Sequence, residues 1–303
     1  MKNKLLLLFF LLGVFFPLSA QESEVLISTS HTSLLLSTSQ GGELKFLYYG
    51  RKLTDADVHA IVSTESGSFS AYPVYGLNCP SESALSVQHE DGNMTLQMEV
   101  IGVETTHQEK ANLTVISLKD KVYPFYVKLC YKAYQDVDVI EAWTEISHKE
   151  KKNVKLNQFA SAYLPVRKGN VWLSSLYGAW ANEARLVQEP LEPGMKVIKN
   201  KDGVRNSHTA HAEVMFSLDG QPRENSGRVI GAALCYGGNY KLRIDTDESE
   251  YHHFYAGINE DNSVYHLKSG EVFKTPELAL TYSDEGLSGG SRNFHLCQCA
   301  VYN

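Results

Sequence analysis

Several features that would assign a function quickly are scarce or missing in these 303 residues. Cysteine is sparse: Cys79, Cys130, Cys235, Cys297 and Cys299 are odd in number and scattered, so they do not build a fully paired disulfide framework. Only Cys297 and Cys299 stand close together, and a CxC pair without a second pair lacks the ligand set of a structural zinc site. Free buried thiols are the expected state, with no metal and no cofactor. Basic residues are outnumbered 28 to 35 by acidic ones, for a net charge of -7, and they form no run. Nothing here attracts a phosphate backbone, which excludes a nucleic-acid partner. No stretch after the first twenty residues reaches the ~20 apolar residues of a membrane span. A glycine-rich phosphate loop, a GxSxG elbow, internal repeats and low-complexity tracts are all absent from the sequence.

The start of the chain and its aromatic content are more informative. Lys2 and Lys4 precede an apolar run over residues 5–16, and Pro17-Leu18-Ser19-Ala20 ends on a small residue. That order is a secretory signal with cleavage expected after Ala20, so a secreted or periplasmic location is expected, with no membrane attachment after cleavage. Seventeen tyrosines, twelve phenylalanines and few long helical patterns imply an all-β fold. The clearest signal is residues 125–147. Val127, Leu129, Tyr131 and Ala133 alternate with Tyr126, Lys128, Cys130 and Lys132, and a second alternating run follows the Gln135-Asp136 break. Two such runs joined by a short polar link predict an antiparallel hairpin, and its apolar face needs a second sheet to cover it. Further strands are expected at 24–28, 33–37, 44–49, 112–119, 155–165, 171–176, 214–218, 228–236, 241–246, 251–256 and 272–282. Residues 85–89 and 95–103 read as another hairpin, around the turn at 90–93.

Three groups of residues are candidates for chemistry. Asp55 and Asp57, beside His59, could serve a metal, an acid/base step or a sugar, or could sit in a solvated loop or helix cap. Trp180, with Glu183 and Arg185, could line a sugar pocket, since an indole face stacks on a pyranose; the competing reading is a core tryptophan beside a surface ion pair. His208, His211, His252 and His253 offer a metal site on paper, but their spacing fixes no geometry.

In order and spacing the chain is similar to the N-terminal domain of family 36 glycoside hydrolases, the α-galactosidases. The resemblance rests on Tyr72-Pro73-x-Tyr75-Gly76, the run Val139 to Ile146, and Gly178-x-Trp180-x-x-Glu183 with Arg185. It continues through Gly203 with Ser207-His208, Gly227-Arg228-Val229-Ile230-Gly231, Leu234-x-Tyr236-x-Gly238-Asn239, Gly257-Ile258, and Leu267-x-x-Gly270-Glu271-x-Phe273-x-Thr275-Pro276-Glu277. The last pieces are Tyr282-Ser283 and Ser291-x-x-Phe294-His295.

This resemblance implies a large two-sheet antiparallel β-supersandwich over residues 21–295, between the signal at 1–20 and a tail at 296–303. In the family a (β/α)₈ barrel follows, and such a barrel takes about 250 residues. The retaining mechanism places two carboxyl groups about 5 Å apart, and both belong to barrel aspartates. No catalytic residue is therefore expected here. The expectation is a non-catalytic domain, inactive alone, cut short by a frameshift, a premature stop or a gene-model truncation. Its implied partners are α-galactoside sugars in the full-length family, the missing barrel, and further copies in a homo-oligomer. A free-standing carbohydrate-binding or scaffold protein is the alternative. The family's Gly-x-x-Asp-Phe-Arg segment near the sugar is replaced here by residues 77–83, LNCPSES. That leaves Asp55, Asp57 and Trp180 as the substrate-binding candidates.

Overall fold

The computed structural model describes residues 23–64, 69–76, 82–203 and 209–301. The signal at 1–20, Cys79 with the 77–81 part of the departing loop, and Ser207-His208 lie outside the described residues. Elements are numbered in chain order. The first group is β1 (Ser23–Ser28), β2 (Thr32–Thr38), β3 (Leu44–Arg51), α1 (Asp55–Thr64), β4 (Phe69–Ser70), β5 (Leu85–Gln88), β6 (Met98–His107) and β7 (Ala111–Asp120). Next are β8 (Phe125–Tyr134), β9 (Val139–His148), β10 (Val154–Val166), β11 (Trp172–Ala179), β12 (Asn182–Pro190), β13 (Gly194–Lys199) and β14 (Ala210–Ser217). The chain continues through β15 (Val229–Leu234), β16 (Tyr240–Thr246), β17 (His252–Ile258), β18 (Tyr265–Leu267), β19 (Val272–Lys274), β20 (Leu278–Ser283) and α2 (Gly286–Val301).

The 125–147 hairpin forms as its alternation predicts: β8 and β9 pair from Phe125↔His148 to Tyr134↔Val139. They lie inside a ten-stranded sheet ordered β12-β11-β14-β15-β20-β9-β8-β7-β6, with β19 also on β9. A six-stranded sheet, β13-β16-β17-β10-β18 with β5 on β10, faces it. The first four strands form a third, smaller sheet. Facing side chains show the layering. Phe216 on β14 and Phe254 on β17 meet edge to face at 5.2 Å, and Phe159 on β10 meets Phe273 on β19 at 4.9 Å. Each buried aromatic of this kind contributes about 1.5–3 kcal/mol by leaving water. Alternating strands of both large sheets supply one continuous core in which Leu85, Phe125, Ile140, Ile146, Leu156 and Phe216 are fully buried. The fold is the expected all-β sandwich.

Two pairings differ from expectation. Residues 85–89 and 95–103 do not form a hairpin: β5 pairs with β10 and β6 with β7. The turn does close, with Gly92 donating to His89, but Tyr75 then intervenes. Its amide donates to Leu85 and its carbonyl accepts from Leu96, so the Tyr72-Pro73-x-Tyr75 segment separates the two runs. The expected strand at 272–282 is split into β19 and β20. Pro276 has no N–H to give a ladder, and Thr275 bonds through both its backbone and its hydroxyl to Thr144. The strands β12 and β13 were not anticipated.

Candidate functional site

Asp55 and Asp57 open α1, where acidic groups favour the positive end of the helix. Asp57 Oδ2 accepts from the Thr54 amide at 2.9 Å and the Thr54 hydroxyl at 2.6 Å, while Thr54 Oγ1 accepts from the Asp57 amide at 3.3 Å. This reciprocal arrangement is a capping box with aspartate in place of glutamate. The Thr54 hydrogen bonds hold the Asp57 carboxyl below the usual carboxylate range.

Trp180 sits at the tip of the β11–β12 hairpin and is 84% exposed, so it is not a core tryptophan. Ala181 and Ala184 adopt left-handed backbone angles, with φ of 60° and 54°. They turn the chain and create the register shift opposite Tyr177 and Ala179. Glu183 and Arg185 are exposed on β12 and make no ion pair among the described residues. No hydrogen bond or ion pair among the described residues joins Trp180 to the aspartates of α1.

A wide concavity lies elsewhere. A groove of about 520 Å³ runs between α2 and the outer face of β11, β12 and β14. Leu176, Leu186, Met215, Leu287 and Phe294 make its apolar surface, and Glu213, Glu224, Arg292 and His295 add charge. The start of α2 is seated by Leu287 and Ser288 amides donating to Arg223 and Glu224 carbonyls, and by the Ser288 hydroxyl on Glu224 at 2.5 Å. Further along, Phe294 lies on Gly231 so closely that a Cβ there would come within 2.8 Å of the ring. The volume suits a small ligand, but the lining is equally that of a seat for another protein segment.

Neighbouring residues His252 and His253 face opposite sides of β17. His252 bonds Thr246 and the Gly169 carbonyl; His253 bonds the Tyr163 hydroxyl and Asp247. His211 approaches Glu213 at 3.9 Å. Among the described residues no group of three or more His, Cys, Asp or Glu side chains is arranged to hold a metal. Cys130 and Cys297 are buried free thiols as expected, whereas Cys235 and Cys299 are free but exposed. Desolvation pushes the Cys130 thiol up to about 12 and the Cys235 and Cys297 thiols up to about 11, far from the thiolate state that makes a nucleophile.

With this geometry established, comparison with known proteins is decisive for the family. Residues 42–268 match the glycosyl hydrolase family 36 N-terminal domain. The chain belongs to this family. Alpha-galactosidase Mel36A of Lactobacillus acidophilus is 32% identical over 191 residues, covering 63% of this chain and 26% of the relative. The bifunctional alpha-galactosidase/sucrose kinase AgaSK of Mediterraneibacter gnavus is 25% identical, with coverages of 89% and 32%. Among solved structures, the GH36 alpha-galactosidase AgaA of Geobacillus stearothermophilus bound to 1-deoxygalactonojirimycin superposes with a TM-score of 0.84 at 22% identity, over 90% of this chain and 42% of that one. The chain thus spans about a quarter to a third of these two curated relatives, and the structural likeness establishes the fold.

The sequence singled out Trp180 but not the groove. Residues 286–291, GLSGGS, are poor helix formers, which hid α2. A usable signal was present: Leu287, Phe294 and Cys297 are spaced seven and three apart, on one helical face.

Proposed function

We propose that this chain is the non-catalytic sandwich domain of a secreted α-galactosidase and does not hydrolyse galactosides by itself. The observation that carries the reading is the family match across 42–268, together with a fold that superposes on less than half of AgaA. The domain would support the barrel through the α2 groove, whose apolar side chains need cover. Its loops would border the sugar site, with Asp55, Asp57 and Trp180 as the candidate contacts. AgaA variants crystallised with raffinose and stachyose supply the substrate class to try.

The test has two arms. The purified chain should leave nitrophenyl α-galactoside and raffinose intact, and should support hydrolysis when joined to a family 36 barrel stripped of its own sandwich. Hydrolysis by the chain alone, or a fused barrel no better than the bare one, would overturn the proposal. Export is checked separately: the N-terminus of the product recovered outside the cytoplasm should begin at Gln21. The alternative, a free-standing carbohydrate-binding or scaffold protein, is favoured by one observation, the exposed indole of Trp180. A lone aromatic offers a sugar little enclosure.

A further inference from the structure

The loop between β14 and β15 closes over a small cavity of about 70 Å³, lined by Ser217, Asp219, Gln221, Arg223, Ser226 and Arg228 together with glycine backbone. A water claims roughly 30 Å³ of liquid, so the space admits a ligand of a few heavy atoms. Phe216 turns inward to meet Phe254, and the alternation of β14 therefore directs Ser217 to the opposite face, under this loop. Ser217 is 4% exposed, and its hydroxyl has no hydrogen-bond partner among the described residues. A buried hydroxyl in that state is costly, and it marks a place where a polar group is to be received.

The charge around the cavity is positive. Its one acid is already engaged: Asp219 Oδ1 accepts from Arg228 Nε at 3.0 Å and from Nη2, and Asp219 Oδ2 accepts from the Arg228 amide at 2.8 Å. Arg167 is near enough to act on the same carboxylate. The acids flanking the loop are held elsewhere, Glu224 by the Ser288 hydroxyl and Glu285 by Arg292. The Arg223 guanidinium makes no hydrogen bond or ion pair among the described residues. In a chain of net charge -7, this is a local surplus of cation around an unpartnered hydroxyl.

The backbone adds to it. Carbonyls of Arg223, Glu224, Gly227 and Arg228 accept from the Leu287, Ser288, Gly286 and Leu218 amides, whereas the Gln221 and Ser226 amides have no backbone acceptor among the described residues. Gly220 and Gly227, with φ of 90° and 95°, let the loop fold back over Ser217 without strain, and turns of this kind gather N–H groups around anions. The positive end of α2 starts alongside at Gly286. We infer that the β14–β15 loop binds a small oxyanion of the phosphate or sulfate type, held by Arg223, the Ser217 hydroxyl and the amides of Gln221 and Ser226. A divalent cation would face two guanidinium groups, and a sugar would find no aromatic face in the lining. Because the Arg223 and Glu224 carbonyls seat the first turn of α2, the anion would also fasten that helix. The site stands apart from the α-galactosidase reading.

Calorimetric titration of the purified chain with sodium phosphate and with sodium sulfate, against sodium chloride at matched ionic strength, decides it. One saturable site is expected, with a dissociation constant of about 1 mM or tighter, and Tm should climb with anion concentration by mass action. Saturation by either oxyanion supports the inference, and the ratio of the two constants names the preferred one. Hydrogen exchange in the first turn of α2 should slow when the anion is bound. Arg223→Gln should weaken binding at least about tenfold, as loss of a charge-assisted hydrogen bond does, and should leave Tm in chloride unchanged, since Arg223 has no partner to lose. Ser217→Ala should weaken binding severalfold, and its melt in chloride shows that it is folded. Absence of saturable binding would overturn the inference. So would equal stabilisation by chloride, affinity indifferent to Arg223→Gln, or a Tm shift produced by galactose in place of the oxyanions.

Discussion

His89 Nδ1 lies 2.8 Å from Glu150 Oε1, with side-chain exposures of 0% and 3%. The imidazole also stacks on Tyr123, ring centres 3.7 Å apart, and meets the edge of Phe125. The other Glu150 oxygen accepts from the Glu90 amide, and the Glu150 amide donates to His148. One carboxylate thus joins the turn after β5 to the turn after β9. Glu150→Ala should cost about 1–3 kcal/mol by stranding the imidazole N–H and the Glu90 amide. Glu150→Gln, which keeps one of the two acceptor oxygens, should cost less than Glu150→Ala because only one of the two donors loses its partner. Urea unfolding measures both, and equal losses would refute this account.

Asp219 and Arg228 form a two-point pair at the β14–β15 loop, and the guanidinium holds the Asp219 carboxyl down to about 2. A carboxylate with a lowered folded-state value stabilises the fold above its unfolded value, and that contribution disappears as pH falls through the folded value. Both side chains are more than a third exposed, so the effect is small, about 1 kcal/mol or less. Asp219→Asn should reduce stability at pH 6 and converge with the parent between about pH 4 and pH 2. Thermal melts across that range read the gap; a gap that persists at pH 2 would contradict the pairing.

Thr54→Ala removes the hydroxyl that caps α1 and should cost about 1 kcal/mol. Asp57→Asn should cost less, since an amide oxygen can still accept from Thr54. If Asp57 instead contacts sugar in an assembled enzyme, Asp57→Asn will raise KM while Thr54→Ser leaves it unchanged. Chemical denaturation and kinetics on the barrel fusion separate these roles.

Gly231→Ala would bring a Cβ within 2.8 Å of Phe294 and 2.9 Å of Thr281, whereas Gly102 has nothing within 4 Å. The first should destabilise by about 1–3 kcal/mol and loosen α2. The second should change stability by less than about 1 kcal/mol. Hydrogen exchange across α2 distinguishes local loosening from a global loss. Unchanged protection in Gly231→Ala would show that α2 tolerates the shift.

The alternation of β8 and β9 was legible because period two survives wherever one face is buried and its turn is short. Partner choice was not. β5 finds β10 some seventy positions away, and nothing local in Leu85-Ser86-Val87-Gln88 distinguishes that strand from the neighbour across the turn. Asp55 and Asp57 showed the same ambiguity, since an aspartate before a helix and one beside a ligand look alike until Thr54 is seen bonded to it. Trp180 stood out as an unusual residue in a dense stretch, but exposure depends on where the hairpin ends. For α2 the glycines of 286–290 outweighed the apolar spacing, while in the fold Gly231 and the Arg223 and Glu224 carbonyls provide the docking that low propensity withholds.

At the tip of the β8–β9 hairpin, the Asp138 carboxylate accepts from the Thr29 hydroxyl at 2.6 Å and the His31 amide at 2.7 Å. Thr29 precedes its acceptor by 109 positions. During synthesis at 5–20 residues per second, the first hairpin therefore waits roughly 5–20 s for the group that fastens its turn. The amino-terminal sheet is made early and secured late, so a chaperone holding the nascent chain would act on β1 and β2 during that interval.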